Sequence, residues 1–128
     1  MDGTIDLGEL KQVALGFCLE TSYDLWEVLD EIEKNLPTTG TTPRRQLLDL
    51  AKSVTTDLVT RGCMDAFVRE GHGMDELITA GDAVAALAEY ANWGKPVRGV
   101  GKAYSLATTE KGHELFNSKR LLTDPNAR

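Results

Sequence analysis

The amino-acid sequence predicts an α+β domain in which helices dominate a small antiparallel sheet. Residues 21–36 and 43–61 repeat apolar side chains at helical spacing. Two shorter stretches, residues 63–69 and 103–107, alternate apolar and polar side chains as half-buried strands do. The chain has 128 residues and a hydrophobic fraction of 41%. We therefore expect one globular domain over residues 1–128, with a core of its own.

The first stretch of the chain, residues 5–19, has an ambiguous pattern. Leu7, Leu10 and Phe17 belong to a helical stripe. Gly8 and Gly16 weaken that pattern, because glycine lowers helix stability. A helix is favoured slightly over a short strand.

The next helix, residues 21–36, is amphipathic and acidic. Thr21 or Ser22 can cap its amino end, and Pro37 ends it. Carboxylates fill the side that faces water. The side predicted to be buried consists of Leu25, Trp26, Val28, Leu29, Ile32 and Leu36.

A second helix is predicted to begin at Pro43 and to end at Gly62, which suits a left-handed carboxyl cap. The strand of residues 63–69 follows it, and residues 70–73 form a turn. A third helix is expected over residues 79–93, with Thr79 and Asp82 in a capping-box-like pair.

The last part of the chain begins with a glycine-rich basic loop, residues 95–102. The strand of residues 103–107 leads from it into a helix that starts near Thr108 or Thr109. We expect the strands of residues 63–69 and 103–107 to pair across the intervening helix. The sheet they form is expected to have two or three strands.

Two junctions in this pattern resemble those of winged-helix domains. Val59-Thr60-Arg61-Gly62 ends a helix and runs directly into the strand of residues 63–69. Tyr104-Ser105-Leu106 runs into Thr108-Thr109-Glu110-Lys111-Gly112, which is similar to the Leu-Thr-Glu-Lys-Gly turn that opens the last helix of that family. In such a turn, the threonine caps the helix and Gly112 allows close packing against the sheet.

The resemblance implies a winged-helix-like fold, in which regulators insert the second of two helices into the DNA major groove. This sequence departs from that pattern because residues 43–61 read as one unbroken helix and about 34 residues separate the two strands. Small acidic proteins of this kind are similar to immunity or accessory proteins encoded beside bacterial toxins. That similarity implies a bacterial, non-enzymatic interaction protein.

The charge is distributed unevenly around a net value of −6. Residues 1–36 contain two basic and nine acidic residues, a net of −7. Residues 95–128 contain seven basic and three acidic residues, a net of +4. The basic third can contact phosphate, while the acidic third repels it. Mutual neutralisation of the two ends within the fold is the simpler interpretation.

No pattern predicts a catalytic, cofactor-binding or metal-binding site. Cys18, Cys63, His72 and His113 are scattered without metal-ligand spacing. The stretch Gly99-Val100-Gly101-Lys102 lacks the spacing of a phosphate-binding loop. No apolar run approaches the roughly 18 residues of a membrane span, and no signal-peptide order is present. We expect a cytoplasmic protein that is not an enzyme, holds no cofactor and does not bind a membrane.

The leading hypothesis is a non-enzymatic module that binds another protein, of basic character. The alternative is a winged-helix transcriptional regulator that contacts phosphates through Arg98 and Lys102, aided by Arg44 and Arg45. The sequence is also compatible with a homodimer. The residues that we expect to bind a partner protein are Glu27, Asp30, Glu31 and Glu33.

Overall fold

A computed structural model describes residues 5–37, 40–97 and 99–127 of the chain. These residues form helices and a small antiparallel sheet, which confirms the predicted α+β class. The elements are α1 Leu7–Phe17, β1 Tyr23–Asp24, α2 Leu25–Lys34, α3 Arg44–Thr60, β2 Met64–Glu70, β3 Glu76–Ile78, α4 Ala80–Ala88, a 3₁₀ helix Tyr90–Trp93, β4 Lys102–Thr108, α5 Glu110–Ser118 and α6 Arg120–Thr123.

The described sheet has four strands in the order β1-β4-β2-β3, and every neighbouring pair is antiparallel. The central pair, β2 and β4, runs in register from Met64 opposite Thr108 to Glu70 opposite Lys102. This confirms the long-range pairing that the sequence predicted. The predicted number of strands was too small. Strands β1 and β3 have only two and three residues, which is too short for an alternating pattern to be recognised in the sequence.

The ambiguous amino-terminal stretch is helical. Asp6 caps α1 by accepting a hydrogen bond from the Glu9 backbone N–H at 3.2 Å. One face of α1 enters the core through Leu10, Ala14 and Leu15. This burial outweighs the low helix propensity of the two glycines.

The start of α2 differs from the prediction. Neither Thr21 nor Ser22 caps this helix; Asp24 is its N-cap residue. Tyr23 and Asp24 pair with Leu106 and Ser105 of β4, so the chain is extended until Asp24. Because of this pairing with β4, the helix begins later in the chain than predicted, with its N-cap at Asp24 rather than at Thr21 or Ser22.

The predicted helix over residues 79–93 is shorter and is followed by a separate 3₁₀ helix. Thr79 caps α4, accepting from the Asp82 backbone N–H at 3.1 Å as predicted. The helix ends at Ala88, and the backbone of Glu89 is extended. The 3₁₀ helix folds back so that the Trp93 indole N–H donates to Leu87 O at 2.9 Å. Trp93 is fully buried, which accounts for the break.

The two segments that carry the winged-helix resemblance meet in space, and we call their contact the junction: Gly62, Cys63, Thr109 and Gly112. Gly62 has a φ of +78°, as a left-handed cap requires. The Thr109 hydroxyl donates to Gly62 O at 2.7 Å and accepts from the Gly112 N–H at 3.1 Å. A Cβ on Gly112 would lie 2.1 Å from Cys63 O. Only glycine allows α5 to approach β2 this closely.

A buried ion-pair network lies beside the junction. Lys11 of α1, of which only 7% is exposed, places Nζ 3.0 Å from Asp57 Oδ2 of α3. The same carboxylate oxygen lies 2.9 Å from Arg61 Nε, and Arg61 also donates to the backbone carbonyl of Ala127. The network ties α1, α3 and the carboxyl-terminal segment together.

Candidate partner-binding surface

Helix α2 presents two chemically different sides. Leu25, Val28, Leu29 and Ile32 are buried against the core. The opposite side carries the four carboxylates that the sequence singled out, together with Trp26 and Lys34. This division follows from helical spacing, since residues three and four apart lie on the same side.

The predicted partner-binding carboxylates do not share one environment. Glu27 has a structural role, because its Oε1 accepts the backbone N–H of Asp24 at 3.0 Å and helps to cap the helix. Asp30 is exposed and lies 3.2 Å from Lys34 Nζ, one turn along the helix. Glu31 and Glu33 are half-buried. The two pairs Glu27 with Glu31 and Asp30 with Glu33 therefore mark the two flanks of the exposed side.

Trp26 is half-buried rather than a core residue, which corrects the sequence-based prediction. It lies on the same flank as Asp30 and Glu33. The ammonium of Lys95 lies 5.1 Å from the centroid of its ring, within the range of a cation–π interaction. The second tryptophan of the chain, Trp93, is fully buried.

A hollow of about 260 Å³ opens beside the Trp26 ring. Acidic and basic side chains share it, so part of the acidic flank faces cations of the same chain. Its polar lining consists of Asp30, Glu33, Arg44 and Lys95, and its apolar lining consists of Trp26, Leu29, Leu47 and Trp93.

Of the two residues predicted to contact phosphate, Arg98 and Lys102, the structure describes only Lys102. Lys102 is exposed at the first position of β4 and lines a smaller hollow, about 130 Å³, that Trp26 also lines. Arg98 lies outside the described residues. The structure thus brings Lys95 and Lys102 to the margin of the acidic side of α2.

The basic residues of α3 contact the 3₁₀ helix. The guanidinium carbon of Arg45 lies 4.4 Å from the centroid of the Tyr90 ring, and Lys52 Nζ lies 5.1 Å from it. The Tyr90 hydroxyl donates to Asp49, whose carboxylate is also 3.8 Å from Arg45 Nε. Tyr90 thus contacts two of the basic side chains of α3.

The cysteines are buried thiols, as predicted. Burial raises the pKa of Cys18 to about 12. Burial also raises the pKa of Cys63, although the positive charges of Lys111 and Arg61 oppose the shift. Both side chains are thus protonated at neutral pH, and neither is prepared as a nucleophile. In the described part of the chain, no group of three or more His, Cys, Asp or Glu residues could hold a metal ion.

Sequence reasoning missed Trp26 as a surface residue and missed its contact with Lys95. A signal for Trp26 existed: Trp26, Asp30 and Glu33 follow the i, i+4, i+7 spacing of one helical row, which groups the indole with carboxylates. Nothing in the sequence identifies Lys95, because its approach to Trp26 depends on the path of the chain after Trp93.

None of the helices in residues 5–37, 40–97 and 99–127 has the length and apolar character needed to cross a membrane. Comparison with known proteins gives no relative of this chain: no family model, no curated protein and no solved structure matches it.

Proposed function

We propose that this chain is a non-enzymatic interaction module that binds a basic segment of another protein on the exposed side of α2. One observation carries the proposal: Trp26 already accepts a cation, the Lys95 ammonium at 5.1 Å, beside Asp30 and Glu33. An arginine or lysine of a partner would find the same combination of aromatic ring and carboxylates. An immunity-type or accessory role is the biological setting we propose for this activity.

The energetics of such a surface favour a basic partner. Tryptophan is enriched among the residues that dominate binding energy at protein interfaces. Carboxylates around it attract a cationic partner over a distance and raise the association rate. Like charges at helical spacing destabilise a helix by a few tenths of a kcal/mol per pair. A concentration of carboxylates on α2 is therefore easier to explain by recognition than by folding.

DNA binding by a winged-helix-like domain is the second candidate. The chain order favours it, because α2 and α3 precede β2 and β2 pairs with β4. The contacts of Tyr90 with Arg45 and Lys52, together with the ion pair of Arg45 and Asp49, weigh against it, since they already offset part of the positive charge that would neutralise phosphates. The protein-binding proposal is therefore preferred.

The first experiment measures binding of a short arginine-rich peptide by titration calorimetry and tryptophan fluorescence. The double variant Asp30→Asn/Glu33→Gln removes the two charges that lie beside Trp26 and keeps the size of both side chains. We expect it to bind about tenfold more weakly, equivalent to about 1.4 kcal/mol. Trp26→Leu is expected to remove the fluorescence response, because the other tryptophan is buried.

The matched control is Glu110→Gln/Glu114→Gln, which removes two exposed carboxylates from a different helix, α5. It should leave peptide affinity unchanged. An equal loss in both double variants would mean that the peptide responds only to net charge, and the proposal would fail. Retention of duplex DNA that Lys102→Glu abolishes, without peptide binding by the wild type, would establish the second candidate instead.

A further inference from the structure

A cleft of about 510 Å³ is formed by α5, by the start of α6 and by the residues that follow α3. It is larger than either hollow beside Trp26. Its volume lies within the range of roughly 300–1,000 Å³ that small-molecule sites occupy. Leu115 and Ala127 give the cleft an apolar wall, and no residue of α2 lines it. The cleft is therefore a separate site from the acidic surface of α2.

The cleft contains more positive than negative charge. The charged side chains that line it are Arg61, Lys111, Arg120 and Glu114. Lys111 is exposed, and no carboxylate lies within ion-pair distance of it in the part of the chain that the structure describes. Arg120 lies 3.5 Å from Asp124, which offsets part of its charge. A ligand with a negative group would therefore be attracted to this cleft.

The buried ion-pair network reaches the cleft through Arg61. Asp57 Oδ2 lies 3.0 Å from Lys11 Nζ and 2.9 Å from Arg61 Nε, so two cations share one carboxylate. The guanidinium of Arg61 also donates through Nη1 to the backbone carbonyl of Ala127. Because a guanidinium has five N–H groups, these contacts hold Arg61 in place and still leave donors for a ligand.

The thiol of Cys63 responds to the same cations. Cys63 lines the cleft and is only 2% exposed. Burial raises the pKa of this thiol, and the charges of Lys111 and Arg61 are the effects that lower it. The fields of two cations on different elements, α5 and the end of α3, therefore overlap at one buried atom of the cleft.

We propose that this cleft binds a small organic anion, whose phosphate or carboxylate group contacts the three cations and whose apolar part contacts Leu115 and Ala127. Arginine binds such oxyanions with two parallel N–H groups, and lysine adds a compact positive charge. Asp57 holds Arg61 in position before the ligand arrives, which reduces the cost of ordering it. This proposal does not depend on the proposed function, because α2 takes no part in it.

NMR titration of the protein with phenyl phosphate and with benzoate, at constant ionic strength, tests the proposal. At least one of these probes should shift the backbone amides of Cys63 and of α5 in a saturable manner, while the amides of α2 do not move. Binding of phenyl phosphate alone would identify the anionic group as phosphate, and binding of benzoate alone would identify it as carboxylate. Inorganic phosphate or acetate should bind about tenfold more weakly than its aromatic counterpart, because it cannot use the apolar wall.

Single variants test the role of each charge. Lys111→Gln and Arg120→Gln should each weaken binding of the probe about fivefold, equivalent to about 1 kcal/mol. Glu114→Gln should strengthen binding about twofold, because it removes a carboxylate that lines the cleft. A gain in affinity cannot result from a loss of folded structure, so Glu114→Gln keeps the test decisive if another variant folds poorly.

The matched control is Lys119→Gln, which removes a cation from the residue next to Arg120. Lys119 Nζ lies 4.6 Å from the centroid of the Phe116 ring, and Lys119 does not line the cleft. This variant should bind the probe as the wild type does. Absence of saturable shifts with both aromatic probes would overturn the proposal. So would equal losses in Lys119→Gln and Lys111→Gln, since the probes would then respond to net charge alone, or weaker binding by Glu114→Gln.

Discussion

The junction and α4 each have a glycine in the first turn of a helix, but the surroundings of the two glycines are opposite. At the junction, a Cβ on Gly112 would lie 2.1 Å from Cys63 O and 2.6 Å from Thr108 Cγ2. On α4, a Cβ on Gly81 would meet no heavy atom within 4 Å. Both glycines belong to the first turn of a helix, so local helix preference alone would treat them alike. The difference shows that α5 packs tightly against the start of β2, whereas the first turn of α4 has free space around it.

The largest effect is expected from Gly112→Ala. The added methyl group would overlap a backbone carbonyl, which cannot move without displacing β2 from α5. Overpacking of this kind costs typically 1–3 kcal/mol, and we expect about 3 kcal/mol because the contact is with backbone. Urea denaturation followed by circular dichroism measures the loss in the free energy of unfolding. A variant as stable as the wild type would show that α5 can move away from β2, and the contrast between the two regions would disappear.

The second prediction, of a smaller effect, compares the stability lost when an ion pair near the junction is broken with the stability lost when an exposed ion pair is broken. Asp57→Ala would leave the buried ammonium of Lys11 without its carboxylate. Removal of one partner of a buried pair costs about 3–5 kcal/mol. About 2 kcal/mol is expected here, because the Asp57 side chain is 33% exposed.

The control for this prediction is Asp30→Ala, which breaks an exposed pair with Lys34 on α2. Exposed pairs one helical turn apart contribute about 0.3–0.5 kcal/mol. Equal losses for Asp57→Ala and Asp30→Ala in the same denaturation experiment would mean that burial of Lys11 has no energetic consequence.

The sequence predicted the two helix caps at the junction because their signals are local. Gly62 follows a long amphipathic helix, and Thr109 precedes Gly112 by three residues, as a helix cap does. The pairing of β2 with β4 also followed from alternating side chains in both strands. The caps depend on a few consecutive residues and each strand is recognised from its own alternation, and the structure places them where the patterns indicated.

Strand β3, the end of α4 and the exposure of Trp26 could not be predicted in the same way. Strand β3 has three residues, and its pairing with β2 arises from tertiary contact rather than from its own pattern. The end of α4 has no glycine or proline to mark it; the burial of Trp93 decides it. Trp26 was assigned to the core because large aromatic residues usually are buried, yet its position beside Asp30 and Glu33 leaves it half exposed.

The smallest effect is expected from Gly81→Ala, which makes the chemical change of Gly112→Ala on the open side of the molecule. Alanine is about 0.8–1.0 kcal/mol more favourable than glycine in a helix interior. Gly81 is the second residue of α4, where fewer backbone hydrogen bonds are at stake, so we expect a gain of about 0.5 kcal/mol. The measurement is urea denaturation followed by circular dichroism. A loss of stability would mean that Gly81 is in close contact with another part of the chain. If Gly81→Ala raises the free energy of unfolding while Gly112→Ala lowers it, then packing against Cys63, and not the residue type, accounts for the difference between the two regions.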